Sequence, residues 1–170
     1  MRKPFTLCML KDNPDAVATC ARWEHEEWGR PLAETLPDFA AAQTDRLPLT
    51  VVALDAMGKP AGMVSLWTDD CPLRPDLTPW LASLYVTPEA RGQGLGGALL
   101  ARAEAEARRL GIPRLHLMTQ HSEAHYRTHG WHTFDRIDGP GSMRGAVLMR
   151  KDFQPHAAVA RNRYGALASP

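Results

Sequence analysis

The chain has no cysteine pair. Its 170 residues include Cys8, Cys20 and Cys71, an odd number at wide spacing with no CxxC. That argues against a zinc knuckle or a dithiol motif and predicts reduced, packed thiols. There is no charge excess either: 20 basic and 19 acidic residues leave a formal net charge of +1. Broad electrostatic binding to nucleic acid or to an anionic membrane is therefore not expected, and any anion site must be local. No apolar run is long enough to span a bilayer, and Met1-Arg2-Lys3-Pro4 leads into no signal-peptide core. The expected location is the cytoplasm. What is present is a hydrophobic fraction of 44% beside 23% charged residues, enough for one cored domain without a staple. We place that domain over residues 1–153, followed by a tail over 154–170.

Punctuation by Pro and Gly divides the chain. Phe5 to Leu10 suits a first strand, and Asn13-Pro14 reads as a helix start, with the helix stopping at Gly29. A second helix over Leu32 to Gln43 is expected to be broken or short because of Pro37. Leu49–Leu54 and Ala61–Thr68 read as a hairpin around Gly58. The stretch from Asp69 to Pro79 is a proline-rich loop, followed by a buried strand over Trp80–Val86. From Gly94 to Leu110, Leu95, Leu99, Ala103, Ala107 and Leu110 recur at helical spacing, and Glu104–Arg108 adds an i,i+4 pair. A strand over Arg114–Thr119, a short helix capped by Ser122 and two closing strands complete the order. The expected fold class is α/β: a mixed central sheet of about seven strands with helices on both faces and one β-α-β crossover.

The glycine-rich turn before the longest helix carries most of the chemistry. Gly92, Gly94, Gly96 and Gly97 remove side chains where backbone would meet a ligand. The first helical amides lack partners, and the helix dipole adds positive character. This is a local anion site suited to a pyrophosphate, with Arg91 as a charged donor. Three templates compete. A P-loop needs Lys and Ser or Thr after its last glycine, but Ala98 and Leu99 follow here. A dinucleotide turn matches at Gly92, Gly94 and Gly97, but Leu117-Met118-Thr119-Gln120 supplies no ribose-binding acid. The third template matches fully. Arg91-Gly92-Gln93-Gly94-Leu95-Gly96, its lead-in Leu84-Tyr85-Val86-Thr87-Pro88-Glu89, and Ala124-His125-Tyr126-Arg127-Thr128-His129-Gly130-Trp131 downstream resemble the landmarks of the GCN5-related N-acetyltransferases. The resemblance covers about residues 45–151.

It implies splayed central strands and acetyl-coenzyme A as the acyl donor. It also implies direct attack by a primary amine, on a small molecule or a peptide, as acceptor. Leu84, Tyr85, Val86 and Arg91 to Gly97, including Gln93 and Leu95, would hold the coenzyme. Tyr126 matches the family tyrosine near the coenzyme sulfur and would act as general acid. Relatives often carry a Glu on the strand before the turn, but Leu81-Ala82-Ser83-Leu84 has no carboxylate. A water chain or a carboxylate from elsewhere would have to serve; the first helix offers Glu24, His25, Glu26, Glu27 and Trp28, and Glu27 is the chosen candidate base. Glu26, Trp28, Asp70, Ser83 and His121 are candidate acceptor-side residues. Asp69 and Asp76 form a further acidic group with Asp70 near the expected mouth. The missing strand carboxylate keeps open an alternative, a non-catalytic acyl-coenzyme A binding module. His121, His125 and His129 share i,i+4 spacing, but no Cys or paired carboxylate completes a ligand set, so no metal is expected. Relatives often dimerise, which leaves a homodimer open.

Overall fold

Seven strands and four helices alternate in the order expected from the sequence. The computed structural model describes residues 4–154. β1 (Thr6–Met9) leads through two short 3-10 turns into α1 (Val17–Trp28) and α2 (Leu32–Ala40). Then come β2 (Leu49–Leu54), β3 (Pro60–Trp67), β4 (Trp80–Val86), α3 (Leu95–Arg109), β5 (Arg114–Thr119), α4 (Glu123–Thr128), β6 (His132–Ile137) and β7 (Ala146–Asp152). The tail expected over 154–170 lies outside the described residues apart from its first position.

The strands form one sheet in the order β1-β2-β3-β4-β5-β7-β6. All neighbours are antiparallel except β4 and β5, which run parallel and are joined through α3. That pair meets in register only at Trp80↔His116. Above this point the two strands part. The cause lies in β4 itself. Met63↔Tyr85 and Ser65↔Ala82 pair across β3, so β4 accommodates one extra residue between those rungs. Ser83 sits there with φ 55, the one non-glycine residue with positive φ among those described. A bulge of this kind bends its strand and strengthens the local twist, which carries the far end of β4 away from β5.

Period-two alternation sends side chains to two separate cores. Leu49, Val51, Ala53, Val64, Leu66 and Leu81 pack with Leu95, Leu99, Ala103 and Ala107 of α3 and with Tyr126 and Trp131. Val52, Met63, Trp67 and Ala82 pack on the opposite face with Cys20, Ala21 and Trp23 of α1 and Phe39 of α2. Gly62 is required where β3 passes under α3: an added Cβ would lie 2.8 Å from the Tyr85 carbonyl oxygen.

Several local expectations are corrected. Asn13 does not cap α1; its amide donates back to the Met9 carbonyl, and a 3-10 turn at Pro14–Ala16 precedes the helix. Pro37 lies within α2 without breaking it, and the helix ends at Ala40 rather than Gln43. Ser122 contributes no side-chain cap, and its backbone N–H donates to Thr119 Oγ1 instead. Glu104 is not mainly the surface partner of Arg108, 3.7 Å away. It is buried and accepts from Trp131 Nε1 at 3.0 Å and Lys151 Nζ at 2.7 Å. The thiols of Cys8, Cys20 and Cys71 are all free. Burial pushes the Cys20 thiol up to about 12.

Candidate functional site

The parting of β4 and β5 opens a cleft of about 1180 Å³. Its walls come from Ala82, Ser83 and Leu84 of β4 and Leu117 to Thr119 of β5. Tyr126, the end of α1, α2 and the loop after β3 complete them. A 3-10 turn at Pro88–Ala90 joins β4 to the glycine-rich turn, and Gly94, at φ 81, forms the N-cap of α3. Gly92 has φ 73, and a Cβ added there would meet nothing within 4 Å. The chain therefore turns through left-handed positions at Gly92 and Gly94 into the first-turn amides of α3, a geometry that suits a backbone cradle for phosphate. Arg91 is exposed; its Nε donates to the Val86 carbonyl at 3.0 Å, and its guanidinium lies 6.0 Å from the Tyr85 ring centroid. Gln93 Nε2 donates to the Glu89 carbonyl at 3.1 Å. These two bonds brace the turn from behind. Leu95 is buried in the core, whereas Gly96 and Gly97 lie near Val86 and His129.

Tyr126 projects from α4 into the cleft wall and is 8% exposed. Its ring packs edge-on against Trp131, centroids 6.2 Å apart. Burial pushes its phenol up to about 12, so it is protonated at neutral pH. Tyr85, on the other face of the sheet, stacks on Trp23 at 4.9 Å.

The structure separates the candidate acceptor residues. Glu27, Trp28, Asp70, Ser83 and His121 all line the cleft, Glu27 and His121 as exposed residues. Glu26 does not line it: one position further round α1, it is exposed and pairs with Arg22 at 3.8 Å. Asp69 lines the cleft, but Asp76 is held by Arg74 through paired bonds at 2.9 and 2.8 Å. The same guanidinium reaches Asp135 of β6, so this unit fastens the loop.

Of the carboxylates offered by the first helix, the enclosed one is Glu24, not the chosen Glu27. Glu24 is 4% exposed, lines the cleft, and stands beside Ser83. Desolvation raises its pKa, against the opposing effects of the Ser83 hydroxyl and Arg30. Asp70 is pushed up to about 8 by burial first and the Glu24 charge second, while Arg30 pulls it down. Arg30 itself is gathered by Asp38 at 2.6 Å and by Glu34 and Glu24 at 3.9 Å, above the Trp67 ring. A signal existed: position 24 follows Cys20 by four and Ala21 by three, on the inward stripe of α1. His116 is structural, buried with Nδ1 3.1 Å from the Pro79 carbonyl, and burial lowers its pKa. Among the described residues no group of three or more His, Cys, Asp or Glu could hold a metal, and no helix is long and apolar enough to cross a membrane.

A parted β4–β5 pair with a glycine-capped helix between them defines an acyltransferase-type architecture. The model of the acetyltransferase (GNAT) family matches residues 11–131, and the chain belongs to that family. Solved structures agree on the fold. The yncA protein of Salmonella typhimurium, solved with its cofactor acetyl-CoA, is 20% identical, with 91% of this chain and 97% of that chain covered and a TM-score of 0.67. An acetyltransferase from Streptococcus agalactiae is 19% identical over 88% of this chain and 98% of its own, with a TM-score of 0.66. A GNAT-family acetyltransferase from Streptococcus pneumoniae is 20% identical over 88% and 100%, with a TM-score of 0.62. No curated protein matches the sequence.

Proposed function

We propose that the protein transfers the acetyl group of acetyl-coenzyme A to a primary amine by direct attack, with Tyr126 as general acid. The observation that carries this is the cleft where β4 and β5 part, with the glycine-rich turn that leads into α3 and a buried tyrosine in the cleft wall. Acetyl-CoA, which accompanies the Salmonella yncA structure, supplies an activated thioester. Arg91, Gly92, Gln93, Gly94, Leu95, Gly96 and Gly97 would cradle its pyrophosphate. The backbone of Leu84, Tyr85 and Val86 would offer hydrogen bonds to its arm. With β4 diverging from β5, backbone groups beyond the Ser83 bulge are released from strand pairing on that side. An N–H there can stabilise a developing oxyanion.

The Tyr126 phenol keeps its proton at neutral pH, so it can donate to a departing sulfur. The desolvation that raises the phenol also disfavours a thiolate in the same cleft, which drives the proton towards sulfur. The alternative of a binding module without chemistry was motivated by the lack of a carboxylate within Leu81–Leu84. Glu24 beside Ser83 removes that motive.

The experiment is steady-state acetylation of an amine panel, following thiol release, with Tyr126→Phe beside the wild type. The variant should lose roughly 10²-fold in kcat with coenzyme A binding unchanged. An unaltered kcat would overturn the acid role. Tight coenzyme binding by the wild type with no turnover of any amine would overturn the transferase reading.

A further inference from the structure

The acid in this scheme serves the sulfur, and the amine's own proton still needs a destination. Glu24 is 4% exposed and its Oε2 has no hydrogen-bond partner; Ser83 is 8% exposed and its Oγ has none either. The two side chains lie close enough for the hydroxyl to favour the Glu24 charge, without closing a hydrogen bond between them. Asp70, from the loop after β3, faces the same space. Buried polar atoms without partners are costly, and those of a native protein call for an explanation. The nearby cation does not supply it, because Arg30 approaches only Glu24 Oε1, at 3.9 Å, and is held more closely by Asp38. An ammonium group, with three donors and one positive charge, matches one carboxylate oxygen, one hydroxyl and a second carboxylate.

The cleft also carries a surplus of negative charge. Glu24, Glu27, Glu34, Asp38 and Asp69 line it against the single guanidinium of Arg30. Glu27 and Asp69, both exposed, take part in no ion pair among the described residues.

Building on the acetyltransferase reading, we propose that Glu24, Ser83 and Asp70 seat the acceptor's primary ammonium, that Glu24 takes up its proton, and that the acceptor carries a second positive charge, as diamines and polyamines do. Glu27 and Asp69 meet that second charge at the mouth. In the reaction one N–H proton passes from the ammonium to Glu24 Oε2. The freed lone pair forms the C–N bond to the acetyl carbon. The C–S bond then breaks, the sulfur takes the Tyr126 proton, and the second proton lost by the nitrogen restores the Tyr126 phenol. Glu24 returns its proton to solvent, and the net products are an acetamide, free coenzyme A and one proton. The raised proton affinities of Glu24 and Asp70 suit this role, because a carboxylate that holds protons more tightly is a better acceptor for an ammonium proton.

The test measures calorimetric binding of putrescine, n-butylamine and glutamate to the wild type, Glu24→Gln and Ser83→Ala, with coenzyme A binding as a control. Acetylation of each amine is followed in parallel. Putrescine should bind the wild type at least about tenfold more tightly than n-butylamine, and glutamate should not bind. Glu24→Gln should lose at least about tenfold in putrescine affinity while coenzyme A binding is kept, and its kcat should recover as pH rises and free amine accumulates. Ser83→Ala should show a smaller loss and serves as the second variant should Glu24→Gln fail to fold. Undiminished putrescine binding by both variants would falsify the seat, and equal binding of putrescine and n-butylamine would overturn the second-charge requirement. Putrescine bound as expected but never acetylated would leave the seat standing and remove the transferase reading. Acetylation with no preference for diamines would leave the transferase reading standing and remove the second-charge requirement.

Discussion

With no ammonium against it, Asp70 at neutral pH holds a proton that the unfolded chain would release, because folding carries its carboxyl from an ordinary 3.8 to about 8; an ammonium beside it pulls that value down and draws the proton off. Between those values the native state binds more protons than the unfolded one, so stability falls as pH rises through the window. The groups that set the shift are the surrounding protein, Glu24 of α1 and Arg30 between α1 and α2. Asp70→Asn cannot release a proton and should flatten this decline between about pH 4 and pH 8. Urea unfolding midpoints across that range check it, and parallel slopes for variant and wild type would refute it. Asp70 was visible in the sequence as an acid near the mouth, but its protonation was not. That depends on Glu24, which only its helical register sets apart from the neighbouring acids in the run Glu24 to Trp28. Tyr126 was legible because a landmark surrounds it; Glu24 belongs to no motif.

Elements show a similar division. The bounds of β4 and β5 fall where Pro79, Pro88, Gly111 and Pro113 punctuate the chain, and α3 begins one residue after the glycine expected to open it. The bulge in β4 was hidden, because Leu81-Ala82-Ser83-Leu84 contains no glycine to announce a left-handed position and Ser83 adopts it regardless. Two substitutions probe these elements. Gly96→Glu has room for its Cβ, 3.8 Å from a Val86 methyl, yet sets a carboxylate beside amides that favour an anion. It should fold with a melting temperature near that of wild type and lose the thermal stabilisation given by coenzyme A. Retained stabilisation would displace the phosphate site from this turn. Gly62→Ala places a methyl 2.8 Å from a backbone oxygen and should destabilise by about 1–3 kcal/mol, measurable by chemical denaturation.

Across the whole molecule, the carboxylate of Glu104 ties α3 to Trp131 and to Lys151 of β7, whose ammonium also donates to the His129 carbonyl at 2.7 Å. One buried acid thus links the helix that follows the glycine-rich turn to the strand pair beyond β5. Glu104→Ala leaves an indole N–H and an ammonium without their partner and should cost about 3 kcal/mol. A calorimetric melt would show it, and an unchanged transition would mean that water replaces the carboxylate without loss.

The sheet keeps two cores apart. α3 and its turn belong to one, and α1 and α2, with the acidic wall of the cleft, belong to the other. On the proposed reading, a change in the packing of α1 or α2 reshapes the acceptor side of the cleft while the glycine-rich turn, supported from the opposite side, keeps its geometry. Selectivity could then drift between generations without first relearning how to hold the proposed donor, and a library confined to the α1–α2 hairpin should yield altered selectivity with coenzyme A binding kept.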